Sequence, residues 1–95
     1  MAHPQGSVSR DGTRLAFGGA IDRPACAALW KQLLPLLPGS TVFDLGGVDT
    51  VDSAGLALLA EAASRCAGVT VTGSPPGLAP LRAAYRLDDA LGYAA

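Results

Sequence analysis

The sequence predicts a single α/β domain with a small mixed β-sheet and helices packed mainly on one face. The chain has 95 residues, of which 49% are hydrophobic, which is enough apolar material for one modest core. Short β-rich runs alternate with helical patterns, and glycines and prolines separate them. Strands that alternate with helices indicate right-handed crossovers and a partly parallel sheet.

The chain begins with a predicted β-hairpin formed by residues 7–10 and 14–17. Asp11-Gly12 between them is a strong signal for a tight turn. We expect Gly18 and Gly19 to end the second strand, because glycine weakens a strand interior.

The first helix is predicted to start at Asp22, a good N-cap, with Pro24 in the first turn. We expect it to end near Leu34, because Pro35 disfavours a helical residue before it. Apolar residues recur at helical spacing and form its core-facing stripe: Cys26, Leu29, Trp30, Leu33 and Leu37.

Residues 41–45 form a predicted central strand, and Gly46 and Gly47 open the loop that follows it. A second helix is predicted from Ser53 to about Ala67, before the helix-stopping Gly68. A short strand over residues 69–72 and a loop over residues 73–77 come next. The stripe of a last helix then consists of Leu78, Leu81, Ala84 and Tyr85, and we expect residues 1–6 and 88–95 to be loosely ordered.

The second helix is apolar nearly all round, unlike a helix with one solvent-facing side. One face has the core pattern Leu56, Leu59, Ala60 and Ala63. Beyond it lie Ala54, Ala57, Leu58 and Ala62. Either both faces are buried within the domain or one meets another protein, and the small number of elements favours a partner.

Composition excludes several function classes. The net charge is −1 and no block of basic residues occurs, so nucleic acid is not an expected partner. No apolar run is long enough to span a membrane, and the N-terminus lacks the apolar core of a signal peptide. Cys26 and Cys66 have no metal-ligand spacing and fit a reducing environment, so no metal or cofactor is predicted.

The sequence gives little support for an enzyme. The only histidine is His3, so Ser53 has no evident histidine base. Asp44, Asp49 and Asp52 near one edge could bind a divalent cation, but we interpret them as caps and turn formers. The helix can be capped by the oxygen of Ser53 or by that of Asp52. Ser53 could also accept a phosphate at the helix N-terminus or contact a partner.

The strand-loop-helix segment resembles the STAS domain. The matching residues are Val42-Phe43-Asp44-Leu45, Gly47-Val48-Asp49 and Val51-Asp52-Ser53-Ala54-Gly55-Leu56, with Gly19-Ala20-Ile21-Asp22 before the first helix. The resemblance covers nearly the whole chain. It implies a non-enzymatic domain that acts by binding other proteins.

Two branches of that family remain open. Ala57, the segment from Pro76 to Leu87 and the short chain look more like the MlaB branch, an accessory subunit of ABC-type phospholipid transporters that maintain outer-membrane lipid asymmetry. That resemblance implies docking on the cytosolic MlaF-like ATPase, and a cytoplasmic protein held at the inner membrane through its partner. The alternative is an anti-sigma factor antagonist, in which phosphorylation of the serine matching Ser53 controls partner binding.

The predicted partner surface combines the loop before the second helix with the exposed side of that helix. Ser53 is expected to cap the helix and lie at the interface. An isolated domain with this surface can also form a homodimer. The predicted contact residues are Val48, Asp49, Thr50, Asp52, Ser53, Ala54, Ala57, Leu58, Glu61 and Arg65.

Overall fold

The computed structural model describes residues 6–66 and 68–84, which form an α/β domain. Within these described residues, four strands and three α-helices follow one another in the predicted order. Their bounds are β1 Ser7–Asp11, β2 Arg14–Ile21, α1 Arg23–Leu33, β3 Val42–Val51, α2 Ser53–Ser64, β4 Thr70–Thr72 and α3 Leu78–Ala84, with a 3₁₀ turn at Leu34–Leu36 after α1.

The strands form one mixed sheet in the order β1-β2-β3-β4, which confirms the predicted fold class. β1 and β2 are the antiparallel hairpin, while β2 with β3 and β3 with β4 are parallel. Each parallel connection contains a helix and advances in the same direction across the sheet. Because such crossovers are right-handed, α1 and α2 lie on the same face of the sheet.

Two predicted strand ends are wrong, and both lie at glycine pairs. β2 continues through Gly18 and Gly19 to Ile21, with register shifts on either side of these glycines. β3 likewise continues through Gly46 and Gly47 to Val51, so residues 48–51 belong to a strand and not to a loop. Glycine in a strand often accompanies a bulge, and here Gly18 pairs with Gly47 where the two backbones come close.

The first helix matches the prediction closely. Asp22 is its N-cap, Pro24 lies in its first turn, and the α-helical part ends at Leu33. The second helix ends at Ser64, a turn earlier than predicted. Ala67, Tyr85 and the terminal residues 1–5 and 88–95 lie outside the described residues.

The core lies between the sheet and the helices. Phe17 of β2 and Phe43 of β3 are in contact, with ring centroids 5.4 Å apart. α2 packs against α1, α3, β2 and β3, so it has neighbours on three sides. The largest fully buried side chains are Phe43, Leu15, Ile21, Leu29, Leu33, Leu45, Leu56 and Leu59.

Arg10 joins the hairpin to the segment that follows α1. Its Nε donates to the carbonyl oxygen of Gly12 at 2.7 Å, and its Nη1 donates to those of Leu36 and Pro38 at 3.1 and 2.5 Å. We expect Arg10→Ala to lower the free energy of unfolding by about 1–2 kcal/mol, because the substitution removes the charged donor of hydrogen bonds to three backbone carbonyl oxygens. Urea unfolding measures this loss. Lys31→Ala, an exposed cation on α1, is the control, and an equal effect of both variants would contradict the prediction.

Candidate functional site

The candidate site lies where β2 and β3 end and their helices begin. Because these strands are parallel neighbours, their carboxyl ends meet at one edge of the sheet. β2 leads through Asp22 into α1, and β3 leads through Asp52 into α2. The backbone N–H of Asp52 donates to the carbonyl oxygen of Ile21 at 3.3 Å, so the two helix starts are held side by side.

Asp52 connects both helices through one carboxylate. Its Oδ1 accepts a hydrogen bond from the N–H of Gly55 in α2 at 2.8 Å, and its Oδ2 accepts one from the N–H of Arg23 in α1 at 3.0 Å. Partial burial acts to raise the pKa of Asp52, but hydrogen bonds from Gly55, Arg23 and Ala54 and the Arg23 charge outweigh it, so the pKa lies below its usual value. Asp52 is therefore the cap of α2, which confirms one of the two predicted alternatives, and the prediction that Ser53 caps this helix is wrong.

Ser53 is the first residue of α2 and is exposed. Its hydroxyl forms no hydrogen bond with any side chain or backbone group of residues 6–66 and 68–84. The hydroxyl is therefore accessible to a partner or to a modifying enzyme. Its position at a helix N-terminus would favour an anionic modification, because the N-terminal end of a helix carries a partial positive charge.

The outward side of α2 has small residues in its first two turns. Ser53 and Ala57 are exposed, and Ala54 is half-buried. The first charged residue on this side of α2 is Glu61. Its carboxylate lies 3.3 Å from Nε of Arg65. The Arg65 guanidinium also lies over the Trp30 ring, 5.2 Å from its centroid, so Arg65 connects α2 to α1.

Two of the predicted contact residues are buried and do not lie on the surface. Val48 is 6% exposed and Leu58 is 8% exposed, and both belong to the core. Ala62, expected on the same outward face as Leu58, is fully buried. The reason is the position of α2, because its neighbours on three sides cover a wider arc than one apolar stripe.

The remaining predicted residues stay at or near the surface. Asp49 is exposed and its carboxylate has no hydrogen-bond or ion-pair partner within the described ranges. Thr50 is half-buried in β3, where it pairs with Ala20. We call the outward residues Ser53, Ala54, Ala57 and Glu61 the α2 face.

The three aspartates considered as cation ligands are not brought together. Asp44 lies on the sheet face opposite the helices, where its carboxylate contacts Nη1 of Arg14 at 3.3 Å and the backbone N–H of Gly46 at 2.9 Å. The two carboxylate oxygens of Asp52 accept hydrogen bonds from backbone N–H groups at the starts of α1 and α2. Within residues 6–66 and 68–84, no group of three or more His, Cys, Asp or Glu side chains could hold a metal ion.

Together, the four-stranded mixed sheet, the helices on one face and the Asp-Ser helix start at the carboxyl end of β3 define a STAS-type domain. The family model described as "Mlab, STAS domain" matches residues 7–93, and the chain belongs to this MlaB family of STAS domains. No curated protein matches the chain.

Family membership supports an accessory role of the STAS type and implies association with an ABC transporter. The family is generally non-catalytic. In the part of the chain that the structure describes, no helix has the length and apolar character needed to cross a membrane.

Proposed function

We propose that this protein is a non-enzymatic subunit that docks on the cytosolic ATPase of an ABC-type phospholipid transporter through the α2 face. The role is to support assembly or activity of a transporter that maintains outer-membrane lipid asymmetry. The protein would then be cytoplasmic and held at the inner membrane through its partner. The observation that carries the proposal is the exposure of Ser53 and Ala57 on the outward side of α2 in a chain of the MlaB family.

The composition of the α2 face fits a docking role. An ordinary solvent-facing helix has charged residues along its outward side, whereas the first two turns of α2 present only small side chains there. Small residues let another backbone approach closely. Ser53 at its edge offers an unpaired hydroxyl, which suits the polar rim of an interface.

Binding to the ATPase subunit of an Mla-type transporter from the same genome tests the proposal. We expect Ala57→Glu to weaken binding by at least about tenfold, because a docked partner would have to bury an unpaired carboxylate. Isothermal titration calorimetry measures the change. Ala28→Glu introduces the same side chain at an exposed position of α1 and is the matched control.

Two results would contradict the proposal. One is the absence of binding between the wild-type protein and the ATPase. The other is equal binding by Ala57→Glu and wild type, which would move the contact to another surface. A Tm of Ala57→Glu close to that of wild type shows that any loss of binding is not caused by unfolding.

The accessible Ser53 hydroxyl favours one second candidate, an anti-sigma factor antagonist switched by phosphorylation. A phosphate there would add about two negative charges beside Asp49 and Asp52. In that case Ser53→Glu abolishes partner binding, Ser53→Ala retains it, and the protein isolated from cells has a phosphate-sized mass increase at Ser53. An unmodified mass together with recovery of the ATPase would favour the transporter subunit.

A further inference from the structure

Arg23 lies beside the α2 face but belongs to a different helix. It is the first residue of α1, and its backbone N–H donates to Oδ2 of Asp52 at 3.0 Å. Asp52 directly precedes Ser53 in the chain and caps α2. The backbone of Arg23 is therefore fixed next to the start of α2, although Arg23 and Asp52 are 29 positions apart in the sequence.

The Arg23 side chain is exposed and forms no hydrogen bond or ion pair with any residue in the ranges 6–66 and 68–84. The carboxylates nearest in the fold already have backbone partners. Asp22 accepts from the N–H of Ala25 at 3.2 Å, and both oxygens of Asp52 are occupied. The Arg23 charge also helps to lower the pKa of Asp52.

Three other arginines have partners within the domain. Arg10 donates to backbone carbonyls, Arg14 pairs with Asp44 at 3.3 Å, and Arg65 pairs with Glu61 at 3.3 Å. These contacts hold structural elements together. Arg23 differs because its guanidinium makes no hydrogen bond or ion pair within the described residues, and only its charge acts on Asp52.

We infer that Arg23 is a further docking residue and that it pairs with a carboxylate of the partner. This inference rests on the proposed function, because a partner seated on Ser53 and Ala54 also covers the first turn of α1. A guanidinium remains charged at all physiological pH values, and covering it without an anion is costly. A glutamate or aspartate of the ATPase matches its planar pair of donors.

Titrations of the Mla-type ATPase with Arg23 variants test the inference. We expect Arg23→Gln to weaken binding by about tenfold or more, and Arg23→Lys to recover only part of the loss, because lysine lacks the planar fork. The salt dependence of binding should also become shallower in Arg23→Gln. Lys31→Gln removes a cation from an exposed position further along α1 and is the matched control.

The identity of the partner group has its own test. Charge reversal of the ATPase's surface acidic residues, one at a time, should yield one variant that restores binding to Arg23→Glu. Failure of every such variant would overturn the carboxylate assignment. Only small changes in Tm are expected for the Arg23 variants, since the guanidinium forms no hydrogen bond or ion pair within the described residues, and such Tm values would exclude unfolding as the cause of lost binding.

The two proposals can fail separately. If Ala57→Glu abolishes binding while Arg23→Gln binds like wild type, the α2 face remains the docking surface and the inference about Arg23 is overturned. If wild-type protein does not bind the ATPase, the proposed function and the inference both fail. If Arg23→Gln and Lys31→Gln weaken binding equally, the effect is one of net charge, and the specific pairing is overturned.

Discussion

Gly55→Ala is expected to destabilise the domain more than any other single-methyl change in α2. A Cβ at this position would lie 1.8 Å from the carbonyl oxygen and 2.7 Å from the carbonyl carbon of Ile21. These are backbone atoms at the end of β2, so no side-chain rotation can relieve the overlap. The same carbonyl oxygen accepts the N–H of Asp52, which fixes β2 against the start of α2.

The sign of the effect follows from two opposing magnitudes. Alanine favours a helix interior over glycine by about 1 kcal/mol. Overpacking against a fixed neighbour costs about 1–3 kcal/mol and occasionally more. Because the contact is far below any van der Waals distance, we expect the upper end, a net loss of about 2 kcal/mol or more in the free energy of unfolding.

Urea unfolding of Gly55→Ala beside Ser53→Ala tests this expectation. Ser53 is exposed in the same turn, and its substitution should change the free energy of unfolding by less than about 0.5 kcal/mol. A Gly55→Ala protein as stable as wild type would show that α2 can move away from β2 without cost. In that event Gly55 would not be required for the close approach of these elements.

The order of elements could be predicted from the sequence because its signals are local. Asp11-Gly12, Asp22 with Pro24, and Gly68 each act on the few residues around them. Hydrophobic spacing then separates helices from strands, and the alternation of the two gives the parallel part of the sheet. These steps use only neighbours in sequence, which is why the structure agrees with them.

The strand ends could not be predicted, because the same local signal has two outcomes. Each of the glycine pairs Gly18-Gly19 and Gly46-Gly47, considered without its neighbouring strand, predicts the end of a strand. In the folded protein Gly18 and Gly47 are paired across neighbouring strands, so both strands continue past the irregularity. Which outcome occurs depends on the partner strand, and sequence spacing does not contain that information.

Only part of the candidate site can be predicted from the sequence, because some of its features are local and others depend on tertiary structure. The Asp52-Ser53 start of α2 is a local pattern, and the sequence predicts it. The burial of Leu58 depends on how many elements surround α2, and the bond between Arg23 and Asp52 joins residues far apart in the chain. Both are tertiary properties, and no periodicity in one helix could reveal them.

Asp52→Ala is expected to loosen both helix starts at once. The substitution removes the acceptor of the Gly55 N–H and the acceptor of the Arg23 N–H. Loss of one N-cap costs about 0.5–2 kcal/mol, so we expect a loss of about 2–3 kcal/mol in the free energy of unfolding. Asp52→Asn should lose about half as much, because its amide oxygen can still cap α2 while its NH₂ group cannot accept from Arg23.

Two other aspartates provide controls. Asp22→Ala removes a cap from α1 only, so its effect should be clearly smaller than that of Asp52→Ala. Asp49→Ala should have little effect, because the Asp49 carboxylate is exposed and has no hydrogen-bond or ion-pair partner within the described residues. Equal losses for Asp22→Ala and Asp52→Ala would show that the second hydrogen bond of Asp52 does not stabilise the fold.

The dependence on pH gives an independent test of the Asp52 carboxylate. Its pKa in the folded protein lies below its usual value, and an unfolded aspartate has a pKa of about 3.9. A group with a lowered folded pKa stabilises the fold fully above the unfolded pKa, and this contribution disappears as the pH falls through the folded pKa. The difference in unfolding free energy between wild type and Asp52→Asn should therefore be constant near neutral pH and shrink below about pH 4. A difference that persists unchanged at low pH would show that the charge of Asp52 does not hold the two helix starts together.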